Sequence, residues 1–383
     1  MAWTKRITTK DGEPRYKVYW YDPSGAQRSK TFGKSEDARK FQRTVEVDKD
    51  RGSYTDPNRG KITLKDLAEK FMESRTAGED GLRPSSGALY EMQLRRYILP
   101  GLGTRRLYAI SKSDVGEFET GLRNAGTGAA SVEAVHRLLH AIFAFAIEEE
   151  RMLRNPATRT REERKTRKVK TRKPRFLDEI EVEKIAAGVP ERYRALVWTL
   201  AVAGLRIGEA TALRVEDLDL KAGTIRVHRN APEVNGHKLL DQPTKTERSV
   251  RTVDIPASLS AMLAEHLNLF GNRFDSSTLV FTTDRGQPVL QSSFRKNVLS
   301  KAAHRAGIDP APRVHDLRHT AASFMGRAGY TLLEAAEQLG HSATAMTAHY
   351  SHVFPDARQE KVARLDALLD QSPKGGAFTR RTT

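Results

Sequence analysis

Four fragments hold the side chains best able to do chemistry: AGLRIGEA at 203–210, PTKTERS at 243–249, HDLRHT at 315–320 and LGHSATAMTAHYSH at 339–352. Each has a bland reading on its own. Arg206 ends an apolar run, and an arginine there needs an anionic partner, which Glu209 supplies three residues on. His315 and Arg318 stand at i and i+3 and share a helix face. His315 and His319 have the spacing of a metal pair. However, the glutamate of H-E-x-x-H is missing and no third ligand is evident. His341 follows Gly340, where a histidine reads as a helix cap. Tyr350, between His349 and His352, reads as a surface or interface residue.

Taken together, the same residues suit attack on a phosphodiester. Its negative charge repels a nucleophile, and arginines and a lysine neutralise that charge as it grows, each preorganised donor contributing roughly 3–4 kcal/mol. Arg offers a bidentate fork and His a proton relay. A tyrosine hydroxyl, pKa about 10, becomes a usable nucleophile once a base takes its proton. Cations can supply the electrostatics, so neither a metal nor a cofactor is expected.

These fragments need a scaffold. From Arg175 to about Leu369 the pattern is mostly helical, with helices expected at 178–187, 193–203, 207–213, 257–270, 291–306, 314–328, 332–339, 344–350 and 355–369. Gly223 to His228 and Arg248 to Ile255 alternate like strands, with a polar loop at 241–246 between them. Upstream, residues 62–155 read as four helices with Gly-rich joints, a compact all-α domain. Trp3–Thr8, Tyr16–Tyr21 and Gln27–Phe32 alternate as strands, followed by a helix starting at Ser35 and stopping at Gly52. That first module is either a basic β+α ornament or a DNA-reading unit with strands in a groove.

At 383 residues with formal charge +17, the chain is multi-domain and attracts polyanions, most simply nucleic acid. Residues 158–175 hold ten Lys/Arg against two Glu. This stretch is a linker: a solvated tether, a localisation signal, or a strap along phosphates whose binding releases counterions. No Cys is present, which excludes disulfides, thiolate nucleophiles and cysteine-bearing metal sites. No apolar run of roughly 20 residues suggests a membrane span, and the first residues lack a signal-peptide core. The expected location is intracellular.

AGLRIGE, the Thr-Lys between strands, H-x-L-R-H, L-G-H and the final H-Y arrive in the order and at the intervals of the tyrosine recombinase (phage integrase) family, and the chain resembles that family over most of its length. The resemblance implies a multi-domain, mainly α protein with small β-sheets: an arm-type DNA-binding sheet plus helix (1–58), a four-helix SAM-like core-binding domain (62–155), the basic linker (156–175), a mixed α+β catalytic domain (176–370) and a tail (371–383). It implies a site-specific recombinase, most simply the integrase of a phage or integrative element. Arg206 and Arg318 would clamp the scissile phosphate. Lys245 would be the general acid for the 5′-hydroxyl, His315 would serve proton transfer, and His341 would hydrogen-bond the phosphate. Tyr350 would form a 3′-phosphotyrosyl link. Glu209 would position Arg206, and His319 would support the site from within its helix. The implied partners are double-stranded DNA at core and arm sites, three further copies in a homo-tetramer and an accessory directionality factor. The C-terminal helix 355–369 would pass to a neighbour or pack in cis. A non-catalytic DNA-binding regulator and a type IB topoisomerase remain as alternatives on the same scaffold.

Overall fold

The computed structural model describes residues 2–9, 12–21, 25, 27–50, 61–76, 81–166, 174–243, 249–271, 275–340, 350, 362–363 and 366–367. They form two compact units, residues 1–171 and 172–383.

The first unit opens with strands β1 (Ala2–Thr8), β2 (Pro14–Tyr21) and β3 (Gln27–Phe32), antiparallel in that order. Alternation sends Val18 and Trp20 to one face. There they are buried with Ala38 and Val45 of helix α1 (Ser35–Asp50), and Trp20 meets Phe41 edge-on at 5.4 Å. Thr4 fixes the register of α1 by donating to Gln42 at 2.8 Å. On the opposite face Trp3 stacks on its cross-strand partner Tyr19 at 5.5 Å, with Lys17 over the tyrosine ring.

The helical part comprises α2 (Leu64–Thr76), α3 (Pro84–Gln93, continuing through a wide turn at Leu94–Ile98 to Leu99–Leu102), α4 (Lys112–Asn124) and α5 (Ala129–Glu148). Ser111 and Asp114 close a capping box that starts α4. The apolar stripes meet in one core, with Leu67, Phe71, Ile98, Val115, Leu139 and Phe143 buried. By length and composition α5 could cross a membrane, but its Val135, Leu138, Leu139 and Ile142 are buried in this core.

The beginning of the basic stretch belongs to this unit. Ala157 joins the core, and a short helix, α6 (Arg161–Thr166), follows. Arg159 forks between Glu119 at 2.9 Å and Glu133 at 2.6 Å, while His136 lies 2.6 Å from Glu119. Glu119 is 1% exposed. Burial alone would raise its pKa, but hydrogen bonds from His136 and Arg159 outweigh that and hold it at about 2. A carboxylate depressed in the folded state stabilises above its unfolded value and loses that contribution as pH falls through its folded value. Here the window runs from 4.5 down to about 2. Glu119→Gln should therefore cost about 3 kcal/mol at neutral pH and flatten the acid limb of a melting-temperature profile. A variant with the wild-type acid slope would remove Glu119 from this role.

The second unit packs α7 (Glu179–Gly188), α8 (Glu191–Trp198, continuing through a wide turn at Thr199–Ala203), α10 (Ala257–Phe270), α11 (Gln291–Ser293, continuing through Phe294–Leu299 to Ser300–Arg305) and α12 (Val314–Arg327) around one apolar core. Between α8 and α10 lie the short helix α9 (Ile207–Ala210) and seven short strands: β4 (Leu218–Asp219), β5 (Thr224–Val227), β6 (Arg229–Asn230), β7 (Glu233–Val234), β8 (His237–Lys238), β9 (Gln242–Pro243) and β10 (Arg251–Asp254). They pair as β10-β5-β4, β6-β9 and β7-β8. Helix α13 (Leu332–Leu339) ends at Gly340 in the left-handed conformation.

Two expectations change here. The helix expected at 207–213 stops at Ala210, because Ala212 and Leu213 donate only three residues back, tightening the chain into a turn. Residues 229–238, for which the sequence predicts no element, carry short strands: β6 pairs with β9, and β7 with β8 around Asn235-Gly236, both at positive φ.

Gly204 holds the turn before Arg206. Its φ is +65°, and a Cβ there would lie 2.3 Å from Leu339 Cδ2 and 3.0 Å from Ala321 Cβ. The left-handed backbone and the overlap both act against a side chain, so Gly204→Ala should cost about 3 kcal/mol in urea unfolding. A loss under about 1 kcal/mol, within the cost of a tolerated core swap, would mean that Leu339 can move aside freely.

Candidate active site

The site is built on one buried carboxylate. Glu209, on α9, is 2% exposed. It caps its own helix by accepting the Arg206 backbone N–H at 2.9 Å, and it accepts the Arg206 guanidinium at 2.7 Å. Thus the i,i+3 ion pair expected from sequence is present, but it does not stand alone. Arg251, at the start of β10, forks onto the same carboxylate at 3.0 and 3.4 Å. Arg318, on α12, brings Nη1 to 3.9 Å. Burial pushes the Glu209 pKa up, and the charges of Arg251, Arg318 and Arg206 more than reverse the shift, so the group is ionised.

The three guanidiniums share a second task. Helix α13 leaves its last carbonyls without helical partners. Arg251 Nε donates to Gln338 O at 2.8 Å, Arg318 Nη2 donates to Leu339 O, and Arg206 Nη2 donates to Gly340 O at 3.1 Å. Three consecutive carbonyls thus each take a different arginine, at the helix end where the macrodipole favours cations.

Arg318 is 1% exposed and also donates to Gly204 O at 2.7 Å. Among the described residues its buried Nε–H has no hydrogen-bond partner. Burial and the neighbouring Arg206 charge lower its pKa to about 9, which leaves it cationic at neutral pH. A buried cation with an unused donor suits an anionic ligand. Arg206, 37% exposed at the side chain, presents the more open guanidinium.

Helix α12 carries the imidazoles. The rings of His315 and His319 lie 4.6 Å apart, edge to face. His319 Nδ1 is 2.5 Å from the Tyr350 hydroxyl. This differs in detail from the sequence expectation, which put His315 at the nucleophile and gave His319 only a supporting place. Phe176 packs edge-on against both Tyr350 and His319, at 6.3 and 6.2 Å. Tyr350 is 1% exposed, among Ala321, Ala322, Met325, Ala335 and Leu339. Burial raises the Tyr350 pKa against the opposing charge of Arg318, so the hydroxyl needs a base to become a nucleophile. His315 stands at the exposed rim of this packed, cationic floor. Partial desolvation there, reinforced by the Arg318 charge, lowers its pKa and keeps the ring neutral and able to accept a proton.

Arg206, Glu209, His315, Arg318, His319 and Tyr350 therefore converge, from segments up to 144 residues apart in sequence (206 to 350). Lys245 and His341 fall outside the described residues, as does most of the helix expected at 355–369. Arg251 and Phe176 were missed. Arg251 had left a signal: it shares a strand face with buried Val253, and an arginine on the core side of a strand requires a buried anion.

Residues 175–356 match the phage integrase family. The chain is similar to the integrase of Mycobacterium phage D29, 31% identical over 307 residues, or 79% of this chain and 78% of that one. It is also similar to a tyrosine recombinase XerC-like protein of Caldanaerobacter subterraneus subsp. tengcongensis, 30% identical over 316 residues, or 75% and 79% of the two chains. Among solved structures, the Tn1549 transposon integrase in complex with a circular intermediate DNA has the same fold. Its TM-score is 0.66 at 18% identity, covering 79% of this chain and 99% of that one. Such identity, spread well beyond the signature fragments and over more than three quarters of each relative, places this chain in the phage integrase family: it is a tyrosine recombinase, an enzyme that breaks and rejoins DNA.

Proposed function

We propose that Arg206 and Arg318 hold the scissile phosphate of a duplex core site and that Tyr350 is the nucleophile. The supporting observation is the buried Tyr350 hydroxyl, 2.5 Å from His319 Nδ1 and under the charge of Arg318, whose buried Nε donor has no partner among the described residues. The phenol proton passes to His319 and on toward His315. The Tyr350 oxygen bonds to phosphorus, the P–O5′ bond breaks, and Lys245 gives the departing 5′-oxygen its proton. His341 donates to the phosphate. The phosphotyrosyl link conserves the energy of the broken bond, so a 5′-hydroxyl from a second duplex can attack it and reseal without ATP.

Exchange between two duplexes requires four strand cuts, hence four copies of the chain on paired sites. The sheet of the first unit reads an arm-type site through its open face, and the basic residues of 158–175 other than Arg159 contact phosphates. The element served is a phage or an integrative element, in the cytoplasm at the nucleoid.

The test uses a footprinted core site carrying a nick, so that the short 5′-hydroxyl strand diffuses away after cleavage. The protein should become covalently attached, and peptide mapping should place the DNA on Tyr350. Specific binding without any adduct would favour a regulator. Relaxation of supercoiled plasmid without site preference would favour a topoisomerase.

A further inference from the structure

We infer that Arg251 is a positioning residue of the cleavage step: through Glu209 it sets the two guanidiniums that receive the scissile phosphate. The inference rests on the roles just proposed for Arg206 and Arg318.

One carboxylate faces three arginines. Arg251 takes both oxygens of Glu209 in a fork. This leaves Arg318 at ion-pair distance, 3.9 Å, without a hydrogen bond to the carboxylate. Arg318 can therefore spend its Nη donors on Gly204 O and Leu339 O and keep Nε unused. Without Arg251, Glu209 Oε2 would keep only the Arg206 backbone N–H at 2.9 Å and the distant Arg318. A buried carboxylate short of donors draws in the nearest cation not yet hydrogen-bonded to it. That cation is Arg318, and the movement would take its guanidinium away from the phosphate.

The remaining bonds of Arg251 make it more than a counter-charge. Its side chain is 7% exposed. Nε holds Gln338 O at 2.8 Å and Nη1 holds Ser249 O at 3.1 Å. In sequence, Ser249 is four residues from Lys245 and Gln338 is three from His341. The guanidinium also packs on Gly340, where a Cβ would lie 3.1 Å from Nη1. A single planar group thus joins β10, α9 and the end of α13. Lysine has the charge but one donor centre, and cannot reach all three.

The test measures single-turnover covalent attachment of the full-length protein, at saturating concentration, to the nicked core-site duplex. The scissile linkage is either the natural phosphodiester or an uncharged methylphosphonate. Arg251→Gln should slow attachment to the diester by about 100-fold, the scale of a misplacement near 1 Å, while the dissociation constant for DNA stays within about two-fold. Arg251→Lys should fall between, and it carries the test if the glutamine variant does not fold. On the methylphosphonate, where no anionic oxygen demands two aligned guanidiniums, the deficit should shrink to a few-fold. A purely structural defect would slow both linkages equally, and that result, or a wild-type rate on the diester, overturns the proposal. Wild-type protein that attaches to neither linkage would instead bring down the recombinase roles, and this inference with them.

Discussion

Tyr350→Phe should bind core-site DNA as the wild type does and form no covalent complex at all. The substitution removes one oxygen. The ring keeps its edge contact with Phe176 and its place among Ala321, Met325 and Leu339. The lost hydrogen bond to His319 costs about 1 kcal/mol, too little to unfold the unit. Its chemical consequence is complete, because no other group takes over the bond to phosphorus. Denaturing gels of the nicked-duplex reaction give the readout, with a mobility-shift titration as the binding control. A covalent band of wild-type intensity from the phenylalanine variant would mean that another residue attacks, and the assignment of Tyr350 would be lost.

Arg318→Lys should slow attachment by about 100-fold or more, in line with the loss of a preorganised donor to a developing charge. Lysine is the informative choice. Alanine would leave Glu209 short of a cation and would free Gly204 O and Leu339 O inside the core, costing about 3–5 kcal/mol of stability and confusing rate with folding. Lysine keeps the charge and gives up the fork, so a rate loss without a matching fall in melting temperature reports geometry at the phosphate. Attachment at the wild-type rate would show that Arg318 only braces Leu339 and Gly204.

Much of this was legible before any coordinates. Local rules sufficed where one element carries the signal: the alternation of Tyr16–Tyr21 became β2, the Asp178 cap started α7, and the apolar stripe of 130–150 became α5. The polar set was found because its members sit in recognisable local strings. The strand face of Arg251 calls for a buried anion without saying which: its partners are a carboxylate 42 residues earlier and a helix end 87 residues later, and neither distance leaves a periodic trace. The exchange of emphasis between His315 and His319 has the same origin. Both lie within one helical turn of Arg318, and only packing against Phe176 and Tyr350 decides which imidazole meets the hydroxyl. Arg159 gives a third case. Its string of cations reads as a tether, yet buried Glu119, with half-buried Glu133 beside it, retains this one member on the first unit.

The arginine-held end of α13 also marks a seam for building chimaeras. Gln338, Leu339 and Gly340 are each fastened by a different arginine, so an exchange boundary placed among them would break apart a matched set. A boundary placed immediately after Gly340 leaves all three fastenings with the recipient and moves only what lies downstream, Tyr350 included. Tails borrowed from other integrases at that joint should therefore inherit an intact arginine cluster, and differences in their behaviour can be ascribed to the donated segment itself.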